Sequence, residues 1–135
     1  MLKKITCIAL FSFLPVFGYS QKCTDFKNGT FKVTDPATKK VCILTRDGNT
    51  QTEKMEDAEE VYDFDIVWVD DCTYTVTPTP ATAARNIDTL KAGTMTVKIF
   101  KAKEGSYMQH VTVANNPKFR RIDEVFVVDH VDENK

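Results

Sequence analysis

The chain has 135 residues, of which 42% are hydrophobic and 27% charged, and its formal net charge is −1 at pH 7. This length suits one domain of ordinary size. A near-neutral charge with scattered basic residues excludes the basic surface that nucleic-acid-binding proteins need, so we expect no nucleic-acid partner.

The first 20 residues have the layout of a secretory signal peptide. Lys3 and Lys4 form a basic start, residues 5–17 form a mostly apolar run, and residues 18–20 form a small-x-small cleavage site. The apolar run is shorter than the roughly 18 residues that a membrane-spanning helix needs. We therefore expect residues 1–20 to be removed as a signal peptide rather than kept as an anchor.

The predicted mature chain, residues 21–135, forms a single β domain. Removal of Lys3 and Lys4 leaves 16 of the 18 basic residues against 19 acidic residues, so its net charge is −3. It has no second apolar run of membrane-spanning length. We therefore expect a secreted or periplasmic protein without a stable membrane span.

Short stretches of alternating apolar and polar residues, separated by turn residues, predict about eight β-strands. In chain order they cover residues 30–33, 40–46 and 49–55, two strands within 61–77, and then 94–102, 107–114 and 119–131. The polar character of residues 49–55 indicates a strand at the solvent side or at an edge. We identify no convincing amphipathic helix.

The two strands within residues 61–77 form the clearest hairpin of the chain. A three-residue connection places Trp68 opposite Tyr74. In the same register Ile66 faces Val76, and the apolar side chains share one face of the sheet. We predict this register because a shift by one residue would expose that whole face to solvent.

The segment after this hairpin, residues 78–86, interrupts the strand pattern. Pro78 and Pro80 remove backbone donors, and the rest of the segment carries little apolar surface. We expect a long mobile loop here, and long loops are frequently functional.

Serial antiparallel strands with short connections favour an all-β meander of about eight strands. Closure into a barrel removes the exposed strand edges. A barrel of about eight strands is either filled by side chains or just wide enough to hold one small ligand. We therefore predict a closed barrel, with a two-sheet β-sandwich as the alternative.

Three cysteines remain after removal of the signal peptide: Cys23, Cys42 and Cys72. An oxidising compartment predicts one disulfide and one free thiol, and three pairings are possible. Cys23 precedes the first strand, and Cys72 lies in the hairpin turn, where backbones can approach closely. Cys42 belongs to the apolar run over residues 41–44 and is typical of a small buried residue. We favour the Cys23–Cys72 pair.

Two cysteine-containing motifs are specific enough to compare with known families. They are Cys-x-x-Phe-Lys-x-Gly-x-Phe over residues 23–31 and Trp-x-x-x-Cys-x-aromatic over residues 68–74. Together they resemble a family of small exported bacterial proteins of uncharacterised function. The resemblance supports pairing Cys23 with Cys72. Some members carry the name DNA topoisomerase IV, an activity that does not fit a chain this small, acidic and exported.

The triplet Gly29-Thr30-Phe31 resembles the Gly-x-Trp signature in the first strand of calycins such as lipocalins, with phenylalanine in place of tryptophan. In calycins a basic residue near the last strand packs over this ring. The resemblance implies a lipocalin-like barrel in which Arg120 or Arg121 covers Phe31.

Residues that could carry chemistry do not form catalytic or metal-binding patterns. His110 and His130 have no second ligand at metal-binding spacing on their own strands. The acidic residues of the central hairpin are Asp63, Asp65, Asp70 and Asp71. They lack the layout of a calcium loop, and an aspartate pair suits a turn. Because no triad or nucleophile motif is present, we expect no enzymatic activity, no metal and no cofactor.

The aromatic face of the central hairpin is the candidate ligand site. Its members are Tyr62, Phe64, Trp68 and Tyr74. In a barrel these rings either bind a small apolar or amphipathic ligand or only fill the core. The alternative function is a protein-interaction or structural module of the cell envelope, with a strand edge or residues 78–86 as its contact surface.

Overall fold

The computed structural model describes residues 22–128, which form one closed barrel of eight antiparallel strands. The strands are β1 (Gly29–Thr34), β2 (Val41–Asp47), β3 (Thr50–Met55), β4 (Val61–Trp68), β5 (Thr73–Pro78), β6 (Met95–Lys103), β7 (Ser106–Val113) and β8 (Asn116–Val127). The helical elements are α1 (Pro80–Arg85) and two 3₁₀ helices, Cys23–Phe26 and Ile87–Leu90.

Each strand pairs with its neighbours in sequence, and β8 pairs with β1 to close the barrel. The predicted all-β meander of eight strands is therefore confirmed, and the two-sheet sandwich is wrong. The predicted signal peptide, residues 1–20, lies outside the described residues, as does the predicted last strand beyond residue 128. Within residues 22–128, no helix is long and apolar enough to cross a membrane.

Alternate side chains of the strands point into the barrel and form its core. The buried apolar residues are Phe26, Phe31, Val33, Leu44, Ile66, Tyr74, Val76, Val97, Ile99, Tyr107, Val111 and Val125. Apart from Phe26 they lie on strands, at positions that follow the period-two pattern of the sequence. Full burial of one such side chain stabilises the fold by about 1.5–3 kcal/mol.

The hairpin of β4 and β5 has the predicted register. Trp68 lies opposite Tyr74, and Ile66 lies opposite Val76. In the turn, Oδ1 of Asp70 accepts a hydrogen bond from the backbone N–H of Cys72 at 2.9 Å, which is the role expected of an aspartate there. Backbone hydrogen bonding, foremost this bond, holds the pKa of Asp70 below its ordinary value.

β3 is neither an edge strand nor on the solvent side, contrary to the expectation from its polar sequence. It pairs with β2 on one side and with β4 on the other. Inside the barrel, Gln51 accepts a hydrogen bond from Arg46 of β2 and donates one to Glu53. The polar character of β3 therefore reflects an internal polar network.

Within residues 78–86, where the sequence predicted a long loop, Pro80–Arg85 form the short helix α1. The hydroxyl of Thr79 accepts the backbone N–H of Thr82, and Pro80 occupies the first helical position. The Thr82 hydroxyl, which is fully buried, accepts the backbone N–H of Asp63 on β4 at 2.9 Å. Pro78 thus ends β5, and Pro80 begins a helix that is fixed to the barrel.

The 3₁₀ helix Cys23–Phe26 covers one end of the barrel, which we call the closed end. Phe26 is buried, and its ring centroid lies 4.7 Å from that of Tyr107 and 6.3 Å from that of Phe31. The helix is long enough to place only this one ring in the core. Its position therefore depends on additional ties to the barrel.

A disulfide supplies one such tie. It joins Cys23 of the 3₁₀ helix to Cys72 in the turn between β4 and β5. The predicted pairing is confirmed, and Cys42 is the free cysteine among the described residues. The disulfide holds the N-terminal segment across the closed end.

Candidate functional site

The other end of the barrel, where β1 ends and β2 begins, contains a partly open cavity of about 230 Å³, which we call the lumen cavity. Its lining residues are Val33, Cys42, Leu44, Gln51, Glu53, Tyr74, Met95, Val97, Gln109, Val111, Arg121 and Asp123. The apolar side chains come from most of the strands, whereas the polar ones are concentrated on β3, β7 and β8. This combination of apolar walls and a few polar groups is typical of small-molecule sites.

A second depression, of about 600 Å³, lies outside the barrel between Thr38–Val41 and the pair Glu56 and Asp57. Most of its side chains are exposed. Because exposed charged side chains remain solvated, this surface is a weaker candidate site than the lumen cavity.

Arg46 lies buried behind the lumen cavity, with 1% of its surface exposed. Its Nη2 donates to the hydroxyl oxygens of Tyr74 at 2.6 Å and Tyr107 at 2.7 Å. Its Nη1 donates to the carbonyl of Phe26 at 3.0 Å, and its Nε donates to Oε1 of Gln51 at 2.9 Å. A guanidinium is tolerated inside a protein only when its donors are satisfied in this way.

Aromatic rings surround the same guanidinium. Its central carbon lies 4.6 Å from the ring centroid of Phe31 and 4.8 Å from that of Tyr74. Cation–π contacts of this kind gain strength when they are desolvated. Burial raises the pKa of Tyr74 and Tyr107, so both hydroxyls stay neutral and accept from the cation.

The hydrogen bonds continue from Arg46 into the lumen cavity through Gln51. Because Oε1 of Gln51 accepts from Arg46, its amide nitrogen faces away and donates to Oε1 of Glu53 at 3.0 Å. Burial raises the pKa of Glu53, and the Gln51 bond and the charge of Arg46 offset part of that effect. Within residues 22–128, Glu53 forms no ion pair.

The opposite wall of the lumen cavity carries a second polar chain. Arg121 Nε donates to Oδ1 of Asp123 at 2.7 Å, and its Nη1 lies 3.5 Å from Oδ2 of Asp35. Oδ2 of Asp123 accepts the side-chain amide N–H of Gln109 at 3.2 Å. The Oε1 atom of Gln109 is buried and accepts no hydrogen bond from residues 22–128.

Of the four predicted ligand-binding residues, Tyr74 lines the lumen cavity. Trp68 packs against Tyr74 with ring centroids 4.7 Å apart, toward the closed end, and the amino group of Lys27 lies 5.0 Å from its ring. Tyr62 and Phe64 are half-buried on the part of β4 that is farther from the closed end. The structure thus brings Trp68 and Tyr74 together and places only the second at the cavity.

The polar residues of the cavity were not predicted as site residues. They are Gln51, Glu53, Gln109, Arg121 and Asp123. Each occupies an inward position of its strand, so the sequence contained one signal: polar side chains in phase with the buried apolar ones. That signal depends on the register of β3, whose one large apolar side chain, Met55, lies at the end of the strand.

The lipocalin resemblance implied the wrong arginine. Arg46 on β2, not Arg120 or Arg121 on β8, packs over the ring of Phe31. Phe31 pairs with Val127, and Arg121 lies six positions before that residue, where it faces the lumen cavity. Arg121 is therefore too far along β8 from the closed end to cover the ring of Phe31.

The free cysteine, Cys42, lines the lumen cavity beside Glu53. Burial, aided by the charge of Glu53, raises the pKa of the Cys42 thiol to about 11. Because the thiolate is the reactive form, we expect slow alkylation by iodoacetamide near neutral pH. The rate should rise roughly tenfold per pH unit until the pH nears that pKa.

Mass spectrometry of the alkylated protein at several pH values measures this rate, with glutathione as the reference thiol. Glu53→Gln should accelerate the reaction, because it removes a negative charge that raises the pKa of Cys42. A rate equal to that of glutathione at every pH would show that Cys42 is not shielded.

The chain was also compared with known proteins. Neither models of protein families, nor curated proteins, nor solved structures gave a match.

Proposed function

We propose that this protein is an exported, non-enzymatic β-barrel that binds a small apolar or amphipathic ligand in the lumen cavity. The observation that carries the proposal is the cavity itself, because a solid barrel of eight strands would have none. Its volume of about 230 Å³ also limits the ligand. A cavity of about 150 Å³ is enough for benzene, so one substituted ring or a short chain fits inside.

The arrangement of polar groups favours binding over catalysis. Both tyrosine hydroxyls behind the cavity are engaged by Arg46, and Asp123 is engaged by Arg121 and Gln109. The Cys42 thiol has a raised pKa, which disfavours the nucleophilic form. These groups are therefore held as a fixed lining rather than as an acid, base or nucleophile free to react.

The proposed location outside the cytoplasm has one structural support. The Cys23–Cys72 disulfide is of the kind that persists in oxidising compartments such as the periplasm or the extracellular space. Removal of residues 1–20 as a signal peptide would direct the chain there. N-terminal sequencing of the exported protein tests this, and a first residue other than Gln21 would contradict the proposed cleavage site.

Native mass spectrometry after gentle purification, and calorimetric titration with single-ring and short-chain compounds, test ligand binding. We expect a bound small molecule or a saturable heat of binding. Val111→Phe, which projects a ring into the cavity, should abolish either signal. Val67→Phe makes the same change on the exposed outer face and should leave binding intact. No bound species and no heat across the panel would overturn the proposal.

A second candidate function is that of a protein-contact or structural module of the cell envelope. The observation that favours it is the outer face of β8, where Ile122 and Phe126 are 58% and 50% exposed. The contact surfaces first considered are less suitable, because the closed barrel leaves no free strand edge in the described chain and residues 78–86 are packed on β4. Cross-linking in intact cells tests this function by comparing the protein with the double variant Ile122→Thr, Phe126→Thr. The same cross-linked adducts in both would count against it.

A further inference from the structure

Gln109 lines the lumen cavity and carries a buried acceptor. Only 7% of its surface is exposed, and its Oε1 atom accepts no hydrogen bond from the described residues. The orientation of the amide is set by Asp123, because the amide nitrogen donates to that carboxylate at 3.2 Å. A flip of the amide would place two oxygens against each other, so the free acceptor must remain directed away from Asp123.

Glu53 presents a second acceptor from the other wall of the same cavity. One of its oxygens accepts from the neutral amide of Gln51, and the carboxylate forms no ion pair within residues 22–128. The nearest buried cation, Arg46, already donates to four other groups. A half-buried carboxylate of this kind is costly unless a positive group or further donors approach it.

Among residues 22–128, the donor side chains of the cavity already face carboxylates of the protein, whereas the Gln109 side-chain oxygen has no donor and Glu53 has only the Gln51 amide. Arg121 is occupied by Asp123 and Asp35, and the Gln51 and Gln109 amide nitrogens donate to carboxylates. A ligand carboxylate would therefore compete with Asp123 and Asp35 for Arg121 and would face the charge of Glu53. A ligand that offers donors would satisfy atoms that now lack them.

We propose that the ligand is a small organic amine, and that its ammonium group is recognised by the carboxylate of Glu53 and the side-chain oxygen of Gln109 while its apolar body contacts Val33, Leu44 and Val97. This inference rests on the proposed function and specifies the chemical class of the ligand. The three N–H donors of an ammonium match acceptors on two walls. The apolar side chains supply the remaining contact surface.

Three probes of nearly equal size separate the possibilities: 2-phenylethylamine, 2-phenylethanol and phenylacetate. Their dissociation constants for the purified protein are measured by calorimetry at about pH 8, where a primary amine keeps its proton. We expect the amine to bind at least about tenfold tighter than the alcohol, because hydrogen bonds to charged groups are the stronger ones. We expect no measurable binding of phenylacetate.

Three variants test which residues recognise the ammonium group. Glu53→Gln keeps the shape of the side chain and should remove most of the preference for the amine over the alcohol. Gln109→Met should weaken amine binding severalfold and alter alcohol binding less. Glu124→Gln, on the exposed face of β8, removes the same charge outside the barrel and should change nothing.

The outcomes distinguish the two proposals. Equal binding of the amine and the alcohol, or a preference that survives in Glu53→Gln, would overturn the amine inference and leave the ligand-binding function standing. Tighter binding of phenylacetate would also overturn it. If none of the three probes binds and Val111→Phe alters no other binding signal, both the inference and the proposed function fail.

Discussion

Replacing Arg46 by methionine should lower the free energy of unfolding by about 3 kcal/mol. The loss comes from buried acceptors that no longer have a donor. The hydroxyls of Tyr74 and Tyr107, the Phe26 carbonyl and the Gln51 side-chain oxygen all lose their donor. Each buried acceptor left without a partner costs about 1–3 kcal/mol, and partial rearrangement of the two hydroxyls recovers some of it.

Equilibrium unfolding in urea, with the disulfide intact, measures this effect. Arg120→Met makes the same chemical change on the exposed part of β8 and should alter the free energy of unfolding by less than about 0.5 kcal/mol. Arg46→Lys keeps the charge but loses the planar guanidinium that reaches several acceptors. Its free energy of unfolding should therefore lie between those of Arg46→Met and Arg120→Met. A loss below about 1 kcal/mol for Arg46→Met would contradict the central role of this network in the fold.

Removing the disulfide by the double substitution Cys23→Ala, Cys72→Ala should lower the free energy of unfolding by about 4 kcal/mol in the chain-entropy model. The two cysteines are separated by 49 positions, so the crosslink restricts a long loop of the unfolded chain. In the folded state the same bond holds the 3₁₀ helix that places Phe26 in the core. We expect the closed end to loosen before the rest of the barrel.

Cys42→Ala is the control for this variant, because it replaces a cysteine without removing a crosslink. Cys42 is free and half-buried, so its replacement should cost about 1 kcal/mol. Hydrogen exchange of the double variant should show faster exchange at the backbone N–H of Asp25, which donates to Lys22. Equal stability of the double variant and Cys42→Ala would contradict a stabilising crosslink.

The sequence correctly predicted features that follow from the alternation of apolar and polar residues along a strand or from the pairing of cysteines. The register of β4 and β5 followed from Trp68, Tyr74, Ile66 and Val76, because a one-residue shift would have exposed every apolar side chain of the hairpin. The Cys23–Cys72 pair followed from the position of both residues next to turns. Closure of the barrel followed from the number of strands and their short connections.

The features that the sequence did not predict depend on individual side-chain contacts. β3 contains Gln51 and Glu53 at inward positions, and only Arg46, brought in from β2, explains why polar side chains are inside. The helix after β5 depends on the Thr79 cap and on the bond between Thr82 and Asp63. Neither contact has a periodic pattern that a strand or helix rule can detect.

The candidate site was predicted only in part for the same reason. Aromatic residues identified the inward face of the central hairpin, yet Trp68 packs toward the closed end and only Tyr74 reaches the lumen cavity. The acceptors that specify the proposed ligand, Glu53 and Gln109, lie on strands far apart in sequence. Their convergence is a consequence of barrel closure.

The most direct test of the account is a methyl NMR titration of the protein with 2-phenylethylamine. We predict saturable shifts at the methyl groups of Val33, Leu44 and Val97, which line the lumen cavity, with no shift at Val67 or Ile122 on the outer face. Shifts confined to the outer face, or no shift at saturating amine, would contradict a ligand site inside the barrel.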